Sequence, residues 1–184
     1  MSSDAVEQLA KALRSYTESP TRLTPMTSIV FLFQRPFHEA TLEHYRTEYW
    51  TTLQQLSRLD PGAWPKEVPN DPNITDWAFC FNGIAMVSLA LCPAYRLRKS
   101  RYCKSFVIAM QPVAIFDSLF ATPEKERVAC ETVRDLNVLV DEVEYSPDVI
   151  LGTAGTISMS NSFFIGDDNE RWGCPCKIPD VSRQ

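Results

Sequence analysis

Histidine and glycine are scarce in this chain of 184 residues, which has two histidines and six glycines. The glycines form no phosphate-binding loop, and no Ser–His–Asp motif is present, so the sequence indicates neither a nucleotide-binding loop nor a serine hydrolase. No apolar run approaches the roughly 20 residues that a membrane-spanning helix needs. The net charge of -5 gives the surface as a whole no attraction for nucleic acid.

Cysteine spacing and the N-terminus bear on the cellular compartment. Of the six cysteines, only Cys174 and Cys176 lie close together, and no second pair of cysteines or histidines supplies the remaining ligands of a zinc site. Residues 1–13 lack the basic start and apolar block of a signal peptide. We therefore expect a cytoplasmic protein with reduced thiols and no structural zinc.

The overall composition is that of a globular protein. Apolar residues make up 45% and charged residues 22% of the chain, and the length fits one domain. Thirteen prolines predict stiff loops, most clearly over residues 60–72, where closely spaced prolines exclude regular structure. Within this proline loop, Trp64 is expected to pin the loop to the core.

Three segments place apolar residues at the spacing of an amphipathic helix. These segments are residues 4–17, 41–59 and 124–143. The third helix is expected to bury one apolar face. Its predicted buried residues are Val128, Val133, Leu136, Leu139 and Val140.

Four apolar runs predict β-strands. Asn82-Gly83 separates two of them and favours a two-residue hairpin turn, because both turn positions need positive φ. The first run is almost wholly apolar, which indicates a strand covered on both faces, and Gln111-Pro112 is expected to end the last run. These elements predict an α+β fold, an antiparallel sheet with a central Asn-Gly hairpin packed by two or three helices. The runs are residues 29–33, 77–81, 84–91 and 105–110.

A basic segment directly follows the third predicted strand. Its spacing is compatible with a solvated loop that pairs with acidic helices, or with an anion site, because arginine forks fit carboxylate and phosphate groups. Tyr95 and Cys92 in the same segment are either ordinary packed side chains or ligands of haem iron. The cations are Arg96, Arg98, Lys99, Arg101 and Lys104.

Several longer motifs occur in a fixed order between residues 28 and 169. They include Ser28-Ile29-Val30-Phe31-Leu32-Phe33, Asp60-Pro61-Gly62-Ala63-Trp64-Pro65, Trp77-Ala78-Phe79-Cys80-Phe81-Asn82-Gly83, Cys92-Pro93-Ala94-Tyr95-Arg96-Leu97-Arg98-Lys99-Ser100-Arg101 and Gln111-Pro112-Val113-Ala114-Ile115-Phe116-Asp117. In this order and spacing they resemble the YqcI/YcgG family. The resemblance implies a single domain of this type over residues 1–184, with an N-terminal helix and link at 1–26 and an irregular tail at 170–184.

The resemblance also implies a chemistry. Characterised relatives include haem-dependent N-hydroxylases of the guanitoxin and D-cycloserine pathways, which oxidise a guanidine nitrogen. A haem enzyme acting on a nitrogen-containing small metabolite is therefore expected, with Tyr95, or else Cys92 or His38, on the iron. The expected catalytic residues are Tyr95, Arg98 and Glu48, and the expected cofactor-binding residues are Tyr95, Arg96, Arg98, Arg101, Cys92 and Gln111.

The chain departs from the family pattern at several positions. Tyr95 stands where the family usually has histidine, and Val113-Ala114 stands where it has Arg-Trp. Residues 159–162 replace a Glu-Trp-Lys-Gln run, and an N-terminal part that should add strands is missing. If haem stays, exchanging histidine for tyrosine replaces a neutral nitrogen ligand with an anionic oxygen ligand.

Two further interpretations follow from these departures. One is a haem-free cyclase, isomerase or dehydratase in which Tyr95, Glu48 or Asp117 moves protons. The other is a non-catalytic binding subunit, because the missing strands would leave a bare sheet edge that a second copy could cover as a homodimer, or that an active homologous subunit could cover. Neither nucleic acid nor a membrane is expected as a partner.

Overall fold

The strands form one antiparallel sheet, and the helices lie outside it. The computed structural model describes residues 2–19, 27–34, 40–149 and 158–172. Within these ranges the sheet has four strands in the order β1-β4-β3-β2, which confirms the predicted α+β class. The strands are β1 (Ile29–Phe33), β2 (Phe79–Phe81), β3 (Ile84–Leu91) and β4 (Phe106–Pro112).

Two of the four described helices pack on one face of the sheet. Leu13 of the first helix and Leu53 of the second are fully buried there, as expected for amphipathic helices that turn their apolar stripe inward. Thr41 precedes the second helix and accepts a hydrogen bond from the His44 N–H at 3.2 Å, which fixes the start of that helix. The helices are α1 (Ser3–Thr17), α2 (Leu42–Arg58), α3 (Ile115–Leu119) and α4 (Pro123–Val140).

The turn between β2 and β3 supports the proline loop. Asn82 and Gly83 have φ values of 52° and 74°, the left-handed conformation that such a two-residue turn requires. Asp60 accepts hydrogen bonds from the Gly62 N–H at 2.9 Å and the Asn82 N–H at 2.7 Å. Because β2 is an edge strand, the turn lies at one side of the sheet rather than at its centre.

The structure corrects one expectation about the strands and confirms another. Val30 and Leu32 of β1 are 55% and 62% exposed, so the strand is not covered on both faces by the described residues. Strand β4 ends at Pro112, as the Gln111-Pro112 pair predicts, although both residues still belong to the strand and Pro112 pairs with Met86. Proline is tolerated there because the pairing of β4 with β1 stops at Met110, so within the described part of the chain Pro112 has a partner strand on one side alone.

Helix α4 lies at its predicted place, but its apolar stripe is not buried. It contacts mainly α3 and the short 3-10 turn Lys99–Arg101. The five side chains predicted to be buried on α4 are 39–81% exposed: Val128, Val133, Leu136, Leu139 and Val140.

None of the described helices is long and apolar enough to cross a bilayer.

Candidate functional site

A cavity of about 410 Å³ opens between α1, α2 and the sheet. Its floor is aromatic, since the rings of Phe33 and Phe106 stack with centroids 5.0 Å apart. Leu9 of α1 adds an apolar wall, and His44 and Glu48 of α2 face the same space. The cavity therefore combines an apolar base with an imidazole and a carboxylate.

The helix geometry of α2 brings the two polar groups together. His44 and Glu48 are four residues apart, so they lie on one face of the helix, one turn above each other. Tyr45, next to His44, is buried in the core, where its ring packs 5.3 Å from that of Phe106. This contact joins the helix to the cavity floor.

The lining of this cavity favours a cationic ligand. Carboxylates pair with ammonium and guanidinium groups, and aromatic faces attract the same cations. Among the described lining residues there is no lysine or arginine. Glu48 was predicted as a site residue, whereas His44 was not; the four-residue spacing of the two was the available signal.

Tyr95, the predicted iron ligand, points into the core. Its hydroxyl donates a hydrogen bond of 2.7 Å to the carbonyl of Ile165, and the residue is buried. Burial raises the pKa of Tyr95 well above its usual value, although nearby Arg101 acts in the opposite direction. The neutral, hydrogen-bonded phenol is therefore the favoured form, and this contact does not fit an anionic iron ligand.

Arg98 is bound by the chain itself. Its side chain is 1% exposed, and it donates to the carbonyls of Gly166 at 2.6 Å, Asp168 at 2.6 Å and Glu144 at 3.0 Å. The carboxylate of Asp141 lies 3.8 Å from the guanidinium. In this structure protein oxygens therefore take the donors of Arg98, the residue that was predicted to bind a ligand.

The basic loop, defined as residues 92–101, does hold an anion, and that anion is the side chain of Asp167. The carboxylate accepts the backbone N–H groups of Arg96, Leu97 and Arg98 at 2.8–2.9 Å. Arg101 donates to the carbonyl of Ser162 at 2.9 Å, and burial lowers its pKa. Both contacts attach the loop to the closing segment, defined as residues 158–172.

The remaining predicted residues do not meet at one place. Cys92 is fully buried, and burial raises its pKa to about 11. Gln111 accepts a hydrogen bond from the Ser28 hydroxyl at 3.1 Å, on β4 and away from the loop. Arg96 lines a separate opening of about 560 Å³ beside Asp167. His38, the third candidate ligand, lies outside the described residues, as do Cys174 and Cys176.

These contacts test whether the basic loop fits haem. A haem site needs an available axial ligand and cations for the propionates. The Tyr95 hydroxyl donates a hydrogen bond to a carbonyl, Cys92 is a buried thiol, and Arg98 donates to protein oxygens. The loop residues therefore do not fit the cofactor that the family resemblance implies. In addition, the described residues contain no cluster of three or more metal-ligating side chains.

The described residues thus form an α+β domain with a cavity of about 410 Å³ on one face of its antiparallel sheet. A family model described as the YqcI/YcgG family matches residues 1–177. The chain belongs to this family. No solved structure matches it significantly.

Three curated relatives resemble the chain. Uncharacterized protein YqcI of Bacillus subtilis strain 168 is 28% identical over 176 residues, which cover 94% of this chain and 69% of that protein. Uncharacterized protein YcgG of the same strain is 30% identical over 171 residues, covering 90% and 62%. The "Putative N(omega)-hydroxy-L-arginine synthase DcsA" of Streptomyces lavendulae is 33% identical over 91 residues, covering 48% and 34%. The chain thus spans about two-thirds or less of each relative's length.

Proposed function

We propose that this protein binds a nitrogen-containing cationic small molecule, an amine or a guanidine, in the cavity between α1 and α2. The observation that carries the proposal is that Glu48 and His44 line the same cavity as the stacked rings of Phe33 and Phe106. A guanidinium group can pair with a carboxylate and lie on an aromatic face at the same time. The name of the Streptomyces relative refers to an arginine derivative, which supports this ligand class.

The chemistry proposed at this site is proton transfer without haem. Histidine and glutamate are common general acids and bases, and here both face one cavity. Glu48 would hold the cationic end of the ligand, and His44 would accept or return a proton on the bound nitrogen or on the neighbouring carbon. Isomerisation, cyclisation and dehydration all need this kind of step.

Calorimetric titration with L-arginine tests the proposal, and L-citrulline serves as its neutral counterpart of similar shape. We expect arginine to bind and citrulline to bind at least about tenfold more weakly, because a hydrogen bond to a charged group contributes about 1.5–3 kcal/mol. For the same reason, Glu48→Gln should weaken arginine binding by about 10–100-fold. Glu7→Gln, on the exposed side of α1, is the matched control and should bind like the wild type.

Two results would overturn this assignment. One is an absence of binding heat for arginine and also for agmatine and putrescine, a guanidine and a diamine without a carboxylate. The other is arginine binding that Glu48→Gln leaves unchanged, because the site would then lie elsewhere.

A second candidate is oxidation of the ligand nitrogen, and the name of the Streptomyces relative favours it. With peroxide as oxidant, one oxygen atom would enter an N–H bond to give N–OH, and the other would leave as water. Because the basic loop does not fit haem, no residue is assigned to this step. Mass spectrometry of arginine incubated with the protein and peroxide, with and without added haemin, tests the candidate: a protein-dependent gain of one oxygen supports it, and unchanged arginine rejects it.

A further inference from the structure

We infer that the basic loop binds the closing segment of its own chain and so acts as an internal receptor for it. The side chain of Asp167 takes the position at which the family resemblance implies a carboxylate of haem or substrate. The inference is independent of the α1–α2 cavity. It rests on hydrogen bonds from donors on residues 95–101 to acceptors on residues 162–169.

The carboxylate of Asp167 is the centre of this contact. Three consecutive backbone N–H groups converge on it, from Arg96, Leu97 and Arg98. Successive N–H groups that point to one spot form a concave anion site of the kind that binds phosphate in other proteins. In this chain the bound anion is covalently part of the protein, so its effective concentration is high.

The neighbouring carbonyl groups of the closing segment are held in the same way. Tyr95 donates to Ile165, and Arg98 donates to Gly166 and Asp168. Such carbonyls would be costly to bury without donors. Arg98 therefore donates to backbone carbonyls in the folded chain, which explains why this arginine is buried rather than solvated.

The apolar side chains of the closing segment occupy the space in front of Tyr95. Phe163 and Phe164 are fully buried. The Phe164 ring lies 6.0 Å from the Tyr95 ring and 5.9 Å from the Tyr49 ring. A planar cofactor approaching the Tyr95 hydroxyl would have to displace this packing. The loop of this chain consequently does not hold haem.

Hydrogen exchange of the full-length protein tests the receptor. The amides of residues 96–98 should be protected in the wild type, and Asp167→Asn should speed their exchange by about tenfold, because it replaces a charged acceptor with a neutral one. Asp168→Asn is the matched control, since the side chain of Asp168 is exposed and, among the described residues, accepts from the Glu170 N–H rather than from the basic loop. Exchange at these amides that is unprotected in the wild type, or unaffected by Asp167→Asn, would overturn the inference.

Haemin titration of the same proteins gives a second test. We expect no saturable Soret band that depends on the loop, so wild type and Tyr95→Phe should give the same spectra. A 1:1 complex whose Soret band disappears in Tyr95→Phe would overturn the inference. If Asp167→Asn loses amide protection at 96–98 yet binds arginine as the wild type does, the receptor and the cavity are separate sites.

Discussion

Replacing Arg98 with methionine should be among the most destabilising single changes in this protein. The side chain is 1% exposed, and its guanidinium donates to the carbonyls of Gly166, Asp168 and Glu144. Methionine keeps part of the volume but supplies no donor, which leaves these carbonyls and the carboxylate of Asp141 without their cation. Removing one partner of a buried charged network costs about 3–5 kcal/mol, a large part of the roughly 5–15 kcal/mol by which a domain is stable.

Urea denaturation followed by tryptophan fluorescence measures this effect. Trp50 and Trp77 pack against Phe163 of the closing segment, so their emission reports its release. Arg96→Met is the control, because the described contact of Arg96 with Asp167 uses its backbone N–H, and it should change stability by less than about 0.5 kcal/mol. A cost below about 1 kcal/mol for Arg98→Met would refute the argument that this arginine holds the fold.

Three further predictions concern other parts of the structure. Gly62→Ala should cost about 1–3 kcal/mol in urea denaturation, because an added Cβ would lie 2.8 Å from the Asn82 Cα; an unchanged midpoint would contradict this. Burial raises the pKa of the Asp60 carboxyl group in the folded protein. Asp60 therefore favours folding most at low pH, where the group is protonated, and this contribution to stability is lost as the pH rises through the pKa of the folded state. Asp60→Asn should therefore raise the Tm at pH 7 and gain less at pH 4, and an equal shift at both pH values would refute the reasoning. Leu139→Gln should cost less than about 0.5 kcal/mol, whereas Leu53→Ala should cost about 2–5 kcal/mol; similar losses would show that α4 is packed in solution.

Local patterns predicted the elements well, because short-range sequence determines them. The spacing predicted a helix over 41–59, and α2 is Leu42–Arg58. The apolar run 29–33 coincides with β1. Such patterns show that one face of a helix is apolar, but they do not show which part of the chain covers that face. For this reason the apolar face of α4 was predicted to be buried, whereas the structure shows it exposed.

The contacts of the basic loop could not be predicted from the sequence. The partners of Arg98 in the closing segment lie about 70 residues further along the chain, and nothing in the local pattern indicates a pairing at that distance. The local sequence does not distinguish a buried arginine that donates to backbone carbonyls from one that binds a ligand. The spacing of His44 and Glu48 was visible, but their cavity also needs α1 and β1.

Chemical-shift mapping with L-arginine on uniformly labelled protein tests most directly whether the cavity or the loop binds ligand. We predict saturable shifts at the amides of Leu9, Phe33, His44 and Glu48, which line the α1–α2 cavity, with the amides of residues 95–101 unmoved. Shifts confined to residues 95–101 and Asp167, with the cavity unperturbed, would contradict this assignment.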